Sequence, residues 1–106
     1  MTYKINITKS ALSDIRSTAL YISDTLMNKS ASNRLLDNIQ EKMDLLSVTP
    51  YMNPIVNDGF LASNGIRFQM IDKYMAFYIV DEETKTISVI RFIHSRRDWN
   101  YLLKNE

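Results

Sequence analysis

The fold is decided by residues 66–93, which are IRFQMIDKYMAFYIVDEETKTISVIRFI. Three apolar runs in this stretch are joined by polar connections of two and about four residues, and connections this short predict antiparallel hairpins. The predicted strands are 66–71, 74–80 and 85–93. The middle run is apolar at both alternating sets of positions, whereas its neighbours carry polar residues on one face. We therefore expect it to be the central and most buried strand.

The first residues of the chain predict a strand followed by a long helix. Polar and apolar residues alternate over 3–8, which is the period of a half-buried strand. Thr8 or Ser10 can supply the N-cap of a helix over about 9–27. The negative charge of Asp14 is placed to interact favourably with the positive end of the dipole of this helix. The apolar stripe of this helix has spacings of three or four: Leu12, Ile15, Ala19, Ile22 and Leu26.

A second helix follows the polar break at 28–30 and ends before Pro50, which cannot continue a helix. Its stripe is Ala31, Leu35, Ile39, Met43 and Leu46. Two helices joined this tightly predict a helical hairpin. Residues 50–65 hold both prolines and both glycines and predict a long loop, either functional or mobile, or one that contains a small element.

The predicted fold class is α+β, with the element order β-α-α-β-β-β and a short C-terminal helix or tail. The helical hairpin packs on one face of a small, mostly antiparallel sheet, and the other face is expected to be open. Trp99 and the leucines after it are expected to dock the tail. The length of 106 residues predicts a single domain over 1–106.

Composition excludes several classes of protein. There is no cysteine and only one histidine, so no disulfide, thiolate nucleophile or His-rich metal site is expected, and no cofactor motif is found. No apolar run is long enough to cross a membrane, and the start lacks the apolar core of a signal peptide, which predicts a cytoplasmic protein. The formal charge of +1 demands neither a nucleic acid nor a membrane as partner.

The densest group of functional side chains is IRFIHSRRDW at 90–99, which holds three arginines and the only histidine. Arginine is suited to forked recognition of phosphate or carboxylate, so Arg91 and Arg67 predict a local anion site. His94 can transfer a proton at cellular pH, as cleavage of RNA by the 2′-hydroxyl requires. The alternative for His94 is a strand-end histidine bonded to backbone.

Structural alternatives exist for the other members of this segment. Arg91 alternates with Val89 and Ile87 and is expected to share their face, so it must be paired or lie at an open edge. Its predicted structural partner is one of Asp72, Asp81 and Asp98. Arg96 and Arg97 are either ligands, a solvated flank or a pair at the start of a helix. Trp99 is either a stacking platform for a base or an anchor for the tail, and Glu82 and Glu83 are expected to be solvated.

Nearly the whole chain resembles the RelE/ParE superfamily of toxins from bacterial toxin–antitoxin pairs. The most specific matches are Ala11, Asp14-Ile15, Gly65-x-Arg67, the Tyr78 strand and Arg91-x-x-His94-x-x-x-Asp98. The resemblance implies the fold predicted above and a cytoplasmic toxin that causes growth arrest, serves in plasmid stabilization and is neutralised by a cognate antitoxin. The resemblance does not determine whether the protein forms a homo-oligomer.

The superfamily has two functional classes. The ending HSRRDW is similar to ParE-type sequences, and this resemblance favours inhibition of DNA gyrase, with Arg96, Arg97 and Trp99 as target-binding residues. The alternative is a RelE-like endonuclease that cuts mRNA on the translating ribosome, with Arg67, Arg91 and His94 as catalytic residues and no metal. A second alternative is an inactive family member that acts as a binding module.

Overall fold

The computed structural model describes residues 2–105, and its elements follow the predicted order. The elements are β1 (Lys4–Ile7), α1 (Lys9–Leu20), α2 (Lys29–Val48), α3 (Gly59–Ser63), β2 (Arg67–Ile71), β3 (Tyr74–Asp81), β4 (Thr86–His94) and α4 (Trp99–Lys104). The α+β class and the β-α-α-β-β-β order with a C-terminal helix are therefore confirmed. No helix within 2–105 is long and apolar enough to cross a membrane.

The four strands form one sheet in the order β1-β4-β3-β2. β2, β3 and β4 pair antiparallel, and β1 pairs parallel with β4. The sheet is thus mostly antiparallel, as predicted. β3 lies between β2 and β4, and its residues 75–78 are all buried, which confirms the prediction that the run apolar on both faces forms the most buried strand.

A β-bulge interrupts the pairing of β3 with β4. Tyr78 lies opposite Val89, but Phe77 lies opposite Arg91, so Ile90 is the extra residue. Successive residues of a strand point to opposite faces, and directly opposed residues share a face. Arg91 therefore belongs with Phe77, and the prediction that it shares a face with Val89 is wrong. Simple alternation fails here because the bulge adds one residue to β4.

The helical hairpin covers one face of the sheet. Thr8 caps α1 by accepting a hydrogen bond from the Ala11 N–H at 3.3 Å, and Asn28 caps α2 in the same way at 3.0 Å from Ala31. The main core lies between the two helices and the sheet and is formed by Ala11, Ile15, Leu35, Ile39, Met43, Leu46, Ile71, Ala76, Tyr78, Ile87, Val89 and Phe92.

The other face of the sheet is partly covered, so the prediction of an open face is wrong. A second core on this side is formed by Val56, Leu61, Ile66, Met75, Phe77 and Ile93, with Trp99, Leu102 and Leu103 packed against it. The cover comes from α3 and α4. The segment 50–65 thus contains a small element, α3, and its Leu61 is buried together with Val56 because both side chains are apolar.

The first helix departs from the prediction at its end. Residues Tyr21–Thr25 form a π-helical turn, in which the Leu26 N–H donates to the Tyr21 oxygen five residues earlier, at 3.0 Å. One extra residue in a turn rotates the residues after it by about 100° around the helix axis. Leu26 is consequently 55% exposed, and the prediction that it continues the buried stripe is wrong.

Candidate functional site

Arg91 is held by a carboxylate of the first helix. Its Nε lies 2.6 Å from Asp14 Oδ2, and its Nη2 lies 3.1 Å from Asp14 Oδ1. The two side chains are only 16% and 20% exposed. This is the forked, charge-assisted geometry in which an Arg–carboxylate pair is strongest. The prediction that Arg91 pairs with Asp72, Asp81 or Asp98 is therefore wrong, because its carboxylate partner is Asp14.

The strand order explains why Asp14 takes this place. β1 ends at Ile7, and the Thr8 N–H donates to the Val89 oxygen at 3.0 Å as the chain enters α1. Beyond Val89, β4 continues without β1 beside it. There the Phe92 N–H donates to Asp14 Oδ2 at 3.0 Å. Asp14 therefore satisfies a backbone donor at the sheet edge and neutralises Arg91 at the same time.

His94 is the last residue of β4 and lies opposite Tyr74. The two rings meet edge to face, with centroids 5.2 Å apart. His94 Nδ1 accepts a hydrogen bond from the Arg96 N–H at 3.1 Å. The interpretation as a strand-end histidine bonded to backbone is confirmed, and Nε2 is the ring nitrogen that this bond leaves for other chemistry.

Arg67 begins β2 at the other end of the sheet. It lies opposite Tyr78, and its Nη1 donates to the Asn53 backbone oxygen at 2.6 Å. Its guanidinium also lies over the ring of Tyr51, 5.0 Å from the centroid. These contacts fasten the segment after α2 to the sheet.

The three candidate catalytic residues do not form one cluster. His94 lies opposite Tyr74 and Arg67 opposite Tyr78, four residues further along β3, a separation of about 13 Å along the strand. Arg91 lies opposite Phe77, on β4, and is engaged by Asp14. The structure thus distributes these side chains along the sheet.

The segment 94–101, which follows β4, carries two exposed basic residues. The Arg97 N–H donates to the His94 oxygen at 3.0 Å and closes a turn, from which the side chains of Arg96 and Arg97 extend into solvent. Within 2–105, neither guanidinium has an ion pair or a side-chain hydrogen bond. Tyr101 beyond them is 61% exposed.

Trp99 turns inward and packs on Phe77, with ring centroids 5.3 Å apart at an angle of 37°. This contact with the second core confirms the anchor interpretation of Trp99. The part of the segment that holds Arg96 and Arg97 is therefore fixed on one side by the end of β4 and on the other by Trp99. Its two arginines are held on a short, ordered turn.

A carboxylate outside this segment holds α4 in place. Asp58 Oδ2 accepts hydrogen bonds from Lys104 Nζ at 2.8 Å and from Asn100 Nδ2 at 3.0 Å, while Asp58 Oδ1 accepts from the Leu61 N–H. The contacts with Lys104, Asn100 and Leu61 hold the pKa of Asp58 well below its usual range. We refer to this group of contacts as the Asp58 latch.

Glu82 is a further carboxylate with several donors. It accepts hydrogen bonds from Lys85 Nζ at 2.6 Å, from the Tyr3 hydroxyl at 2.7 Å and from the Tyr51 hydroxyl. The bond from Lys85 and those from the two tyrosines lower the pKa of Glu82 to about 2. The bond to Glu82 raises the pKa of Tyr51 to about 12. Glu82 was expected to be solvated, and the structure shows that it also binds the residue just before β1 and the segment after α2.

Comparison with known proteins gives the family. The sequence model of the family described as ParE toxin of the type II toxin–antitoxin system parDE matches residues 5–99. The chain belongs to this family. As a ParE-family protein it is a toxin of the type II toxin–antitoxin class. Among curated proteins, none matches the sequence.

Two solved structures are similar to this ParE-family toxin. The chromosomal ParDE toxin–antitoxin system of P. aeruginosa matches with a TM-score of 0.69 at 14% identity, covering 88% of this chain and 96% of that chain. The RelBE2 toxin–antitoxin complex of Mycobacterium tuberculosis matches with a TM-score of 0.59 at 19% identity, covering 89% and 99%. At these identities the likeness shows a shared fold.

Sequence reasoning missed two contributors to this ParE-family site. Asp14 was predicted to interact with the helix dipole and was among the residues that resemble the superfamily, but it was not predicted as the partner of Arg91. Ala11, Asp14 and Ile15 lie on one side of α1, at spacings that could have indicated a residue facing the sheet. Asp58 lies in the segment 50–65 that was predicted as a long loop, and no sequence pattern connects it with Lys104. Between residues 2 and 105 no group of three or more acidic or histidine side chains is arranged to hold a metal ion.

Proposed function

We propose that this ParE-family toxin inhibits DNA gyrase by binding to it, and that a cognate antitoxin neutralises it. The observation that carries the proposal is the match to the ParE family over residues 5–99. An exposed basic segment at one end of the sheet supports it, because direct binding requires a surface that the chain itself does not cover.

The contact region in this proposal is the segment 94–101. Arg96 and Arg97 are exposed, and no carboxylate of the described chain neutralises them. The turn that holds them is ordered by the backbone bond to His94 and by the packing of Trp99. A preordered surface loses less conformational entropy on binding, so these arginines can contribute most of their interaction energy to the complex.

The geometry gives less support to the RelE-like alternative, an endonuclease acting on mRNA at the ribosome. That mechanism needs Arg67, Arg91 and His94 to act on one phosphate. The β3 residues opposite Arg67 and His94 are about 13 Å apart along the strand, and Arg91 is bound to Asp14. Without a close cluster, electrostatic stabilisation of a single transition state is weak.

An antitoxin partner is supported by the two similar structures, which come from a ParDE system and a RelBE2 complex. We expect expression of the toxin alone to arrest growth. Co-expression of the antitoxin is expected to relieve the arrest, because a partner that covers the toxin prevents contact with the target.

The decisive experiment is a supercoiling assay with purified gyrase and increasing amounts of toxin. We expect inhibition by the native chain. The double variant Arg96→Glu/Arg97→Glu should need at least about ten-fold more protein for half inhibition, which corresponds to about 1.4 kcal/mol of binding. The matched control, Lys9→Glu/Arg16→Glu, makes the same change in net charge at exposed positions of α1 and should inhibit like the native chain.

Two results would contradict the proposal. One is unchanged supercoiling across a full titration of the native toxin. The other is codon-associated cleavage of translated mRNA, seen by primer extension, that disappears in His94→Ala and Arg91→Ala. The second result would assign the endonuclease function instead.

A further inference from the structure

The formal charge of +1 for the whole chain conceals a local concentration of cations at one end of the sheet. Arg96 and Arg97 extend from the turn that follows β4. The Ser95 N–H donates to the Lys73 oxygen at 2.9 Å, which places the β2–β3 turn directly beside them. All three cationic residues are exposed, and within 2–105 none of them has an ion pair. We refer to Lys73, Arg96 and Arg97 as the basic tip.

The carboxylates adjacent in sequence to the basic tip are directed onto helices. Asp72 accepts a hydrogen bond from the side chain of Asn38 in α2 at 3.3 Å. Asp98 caps α4 by accepting from the Tyr101 N–H at 3.2 Å. Neither carboxylate forms an ion pair among residues 2–105. The three cations therefore remain available to an anion outside the chain.

The turn that carries the two arginines offers no apolar anchor to a protein partner. Interfaces between proteins depend on a few well-packed anchors at their centre, whereas charges at the rim contribute little. Residues 94–98 are His-Ser-Arg-Arg-Asp, and Trp99 after them packs on Phe77 in the second core. A surface made of cations and hydrogen-bond donors suits phosphate groups, which need charge and donors but no apolar pocket.

The aromatic rings near the basic tip are mostly engaged by other rings. Tyr74 stacks on Phe92, with centroids 5.1 Å apart, and meets His94 edge to face. Proteins that bind single-stranded nucleic acids present several rings on which successive bases stack. The exposed ring of Tyr101 alone cannot form such a series. A duplex, in which the bases stack on one another and the phosphates face outward, fits the basic tip better.

We propose that the basic tip binds the phosphate backbone of duplex DNA without reading its sequence. The choice of DNA rests on the proposed function, since gyrase acts on duplex DNA. In the complex with gyrase, the basic tip contacts the DNA that the enzyme holds, and the rest of the toxin contacts the enzyme. Each of the three cations neutralises one phosphate and releases its counterion, so binding weakens as salt is added.

The test follows the fluorescence anisotropy of a labelled duplex of about 20 base pairs, titrated with the purified full chain at several salt concentrations. We expect saturable binding that is equal for two unrelated sequences. Three phosphate contacts predict a slope of about −2.7 for the logarithm of the binding constant against the logarithm of the salt concentration. The variant Arg96→Gln/Arg97→Gln should weaken binding at low salt at least about ten-fold and change the slope to about −0.9, and Lys73→Gln should change it to about −1.8.

The matched control is Lys9→Gln/Arg16→Gln, which removes the same charge from exposed positions of α1 and should bind DNA like the native chain. An equal loss of affinity in this control would show that only the net charge matters and would overturn the proposal. Absence of saturable binding at low salt would also overturn it. Tighter binding of single-stranded RNA, lost in Tyr101→Ala, would assign this end of the molecule to RNA instead.

The DNA titration and the supercoiling assay can fail separately, because no gyrase is present in the titration. A chain that inhibits gyrase but does not bind duplex DNA would overturn the role of the basic tip and leave the proposed function intact. A chain that binds duplex DNA through the basic tip but leaves supercoiling unchanged would contradict the proposed function alone.

Discussion

The carboxylate of Asp14 serves two partners at the edge of the sheet, the Arg91 guanidinium and the Phe92 N–H. Both are contributed by β4 beyond the point where β1 ends. Removal of one member of a buried ion pair costs about 3–5 kcal/mol, because the remaining charge loses its compensation in a poorly solvated place. The residual exposure of this pair, 16% and 20%, lowers that figure.

We expect Asp14→Ala to lower the free energy of unfolding by about 2–3 kcal/mol, since Arg91 loses this counter-charge and the Phe92 N–H loses its acceptor. Urea denaturation followed by far-UV circular dichroism measures the change. The control is Asp37→Ala, which removes an exposed carboxylate from α2. A loss for Asp14→Ala no larger than that for Asp37→Ala would show that the pair does not stabilise the fold.

Sequence analysis located the basic segment 90–99, but it did not determine which partner each of its side chains binds. Arg91 and Asp14 are 77 residues apart, so no local pattern connects them. Their contact depends on β1 pairing with β4, which brings the start of α1 to the end of the last strand. The backbone bond of His94, in contrast, forms with a residue two positions away and was among the predicted alternatives.

At the level of elements, α4 shows how a short helix depends on its surroundings. Six residues are far too few for an isolated helix to be stable in water. Asp98 caps its start by accepting from the Tyr101 N–H at 3.2 Å, and Trp99 packs on Phe77. The Asp58 latch completes the docking. α4 is consequently stable only while these tertiary contacts persist.

We expect the contribution of the latch to depend on pH. The folded pKa of Asp58 is depressed, so its contribution is fully present above the unfolded value of about 3.9 and decreases as the pH falls below it. The difference in unfolding free energy between the native chain and Asp58→Asn should therefore shrink from pH 6 to about pH 3.

Urea titrations across this pH range, followed by the fluorescence of Trp99, measure the difference. The variant Asp37→Asn, measured over the same pH range, controls for the loss of an exposed carboxylate that has no hydrogen bond or ion pair within residues 2–105. A constant difference for Asp58→Asn would mean that its carboxylate has the same affinity for protons in the folded and unfolded chains.

At the level of the whole molecule, one sheet separates two cores of different origin. The main core joins the helical hairpin to the sheet, and the second core joins α3 and α4 to the opposite face. β3 contributes to both, with Tyr78 on one side and Phe77 on the other, each fully buried. Since the two cores share this strand, we expect them to unfold together.

The variant Leu46→Ala tests this coupling. Leu46 is fully buried in the main core, and its truncation is expected to cost about 2–4 kcal/mol through lost burial and a residual cavity. Trp99, the only tryptophan, reports on the second core. The unfolding midpoints seen by Trp99 fluorescence and by far-UV circular dichroism should shift together. A shift in the dichroism alone would show that the cores unfold independently.

The sequence by itself determined the element order, the long helices, the central position of β3 and the location of the basic segment. These depend on local periodicity, capping and turn residues, which act over a few positions of the chain. Only the tertiary structure decided that Ile90 forms a bulge, that Asp14 neutralises Arg91, and that α3 and α4 cover the second face. Each of these depends on contacts between residues distant in sequence, where burial and charge pairing outweigh local preference.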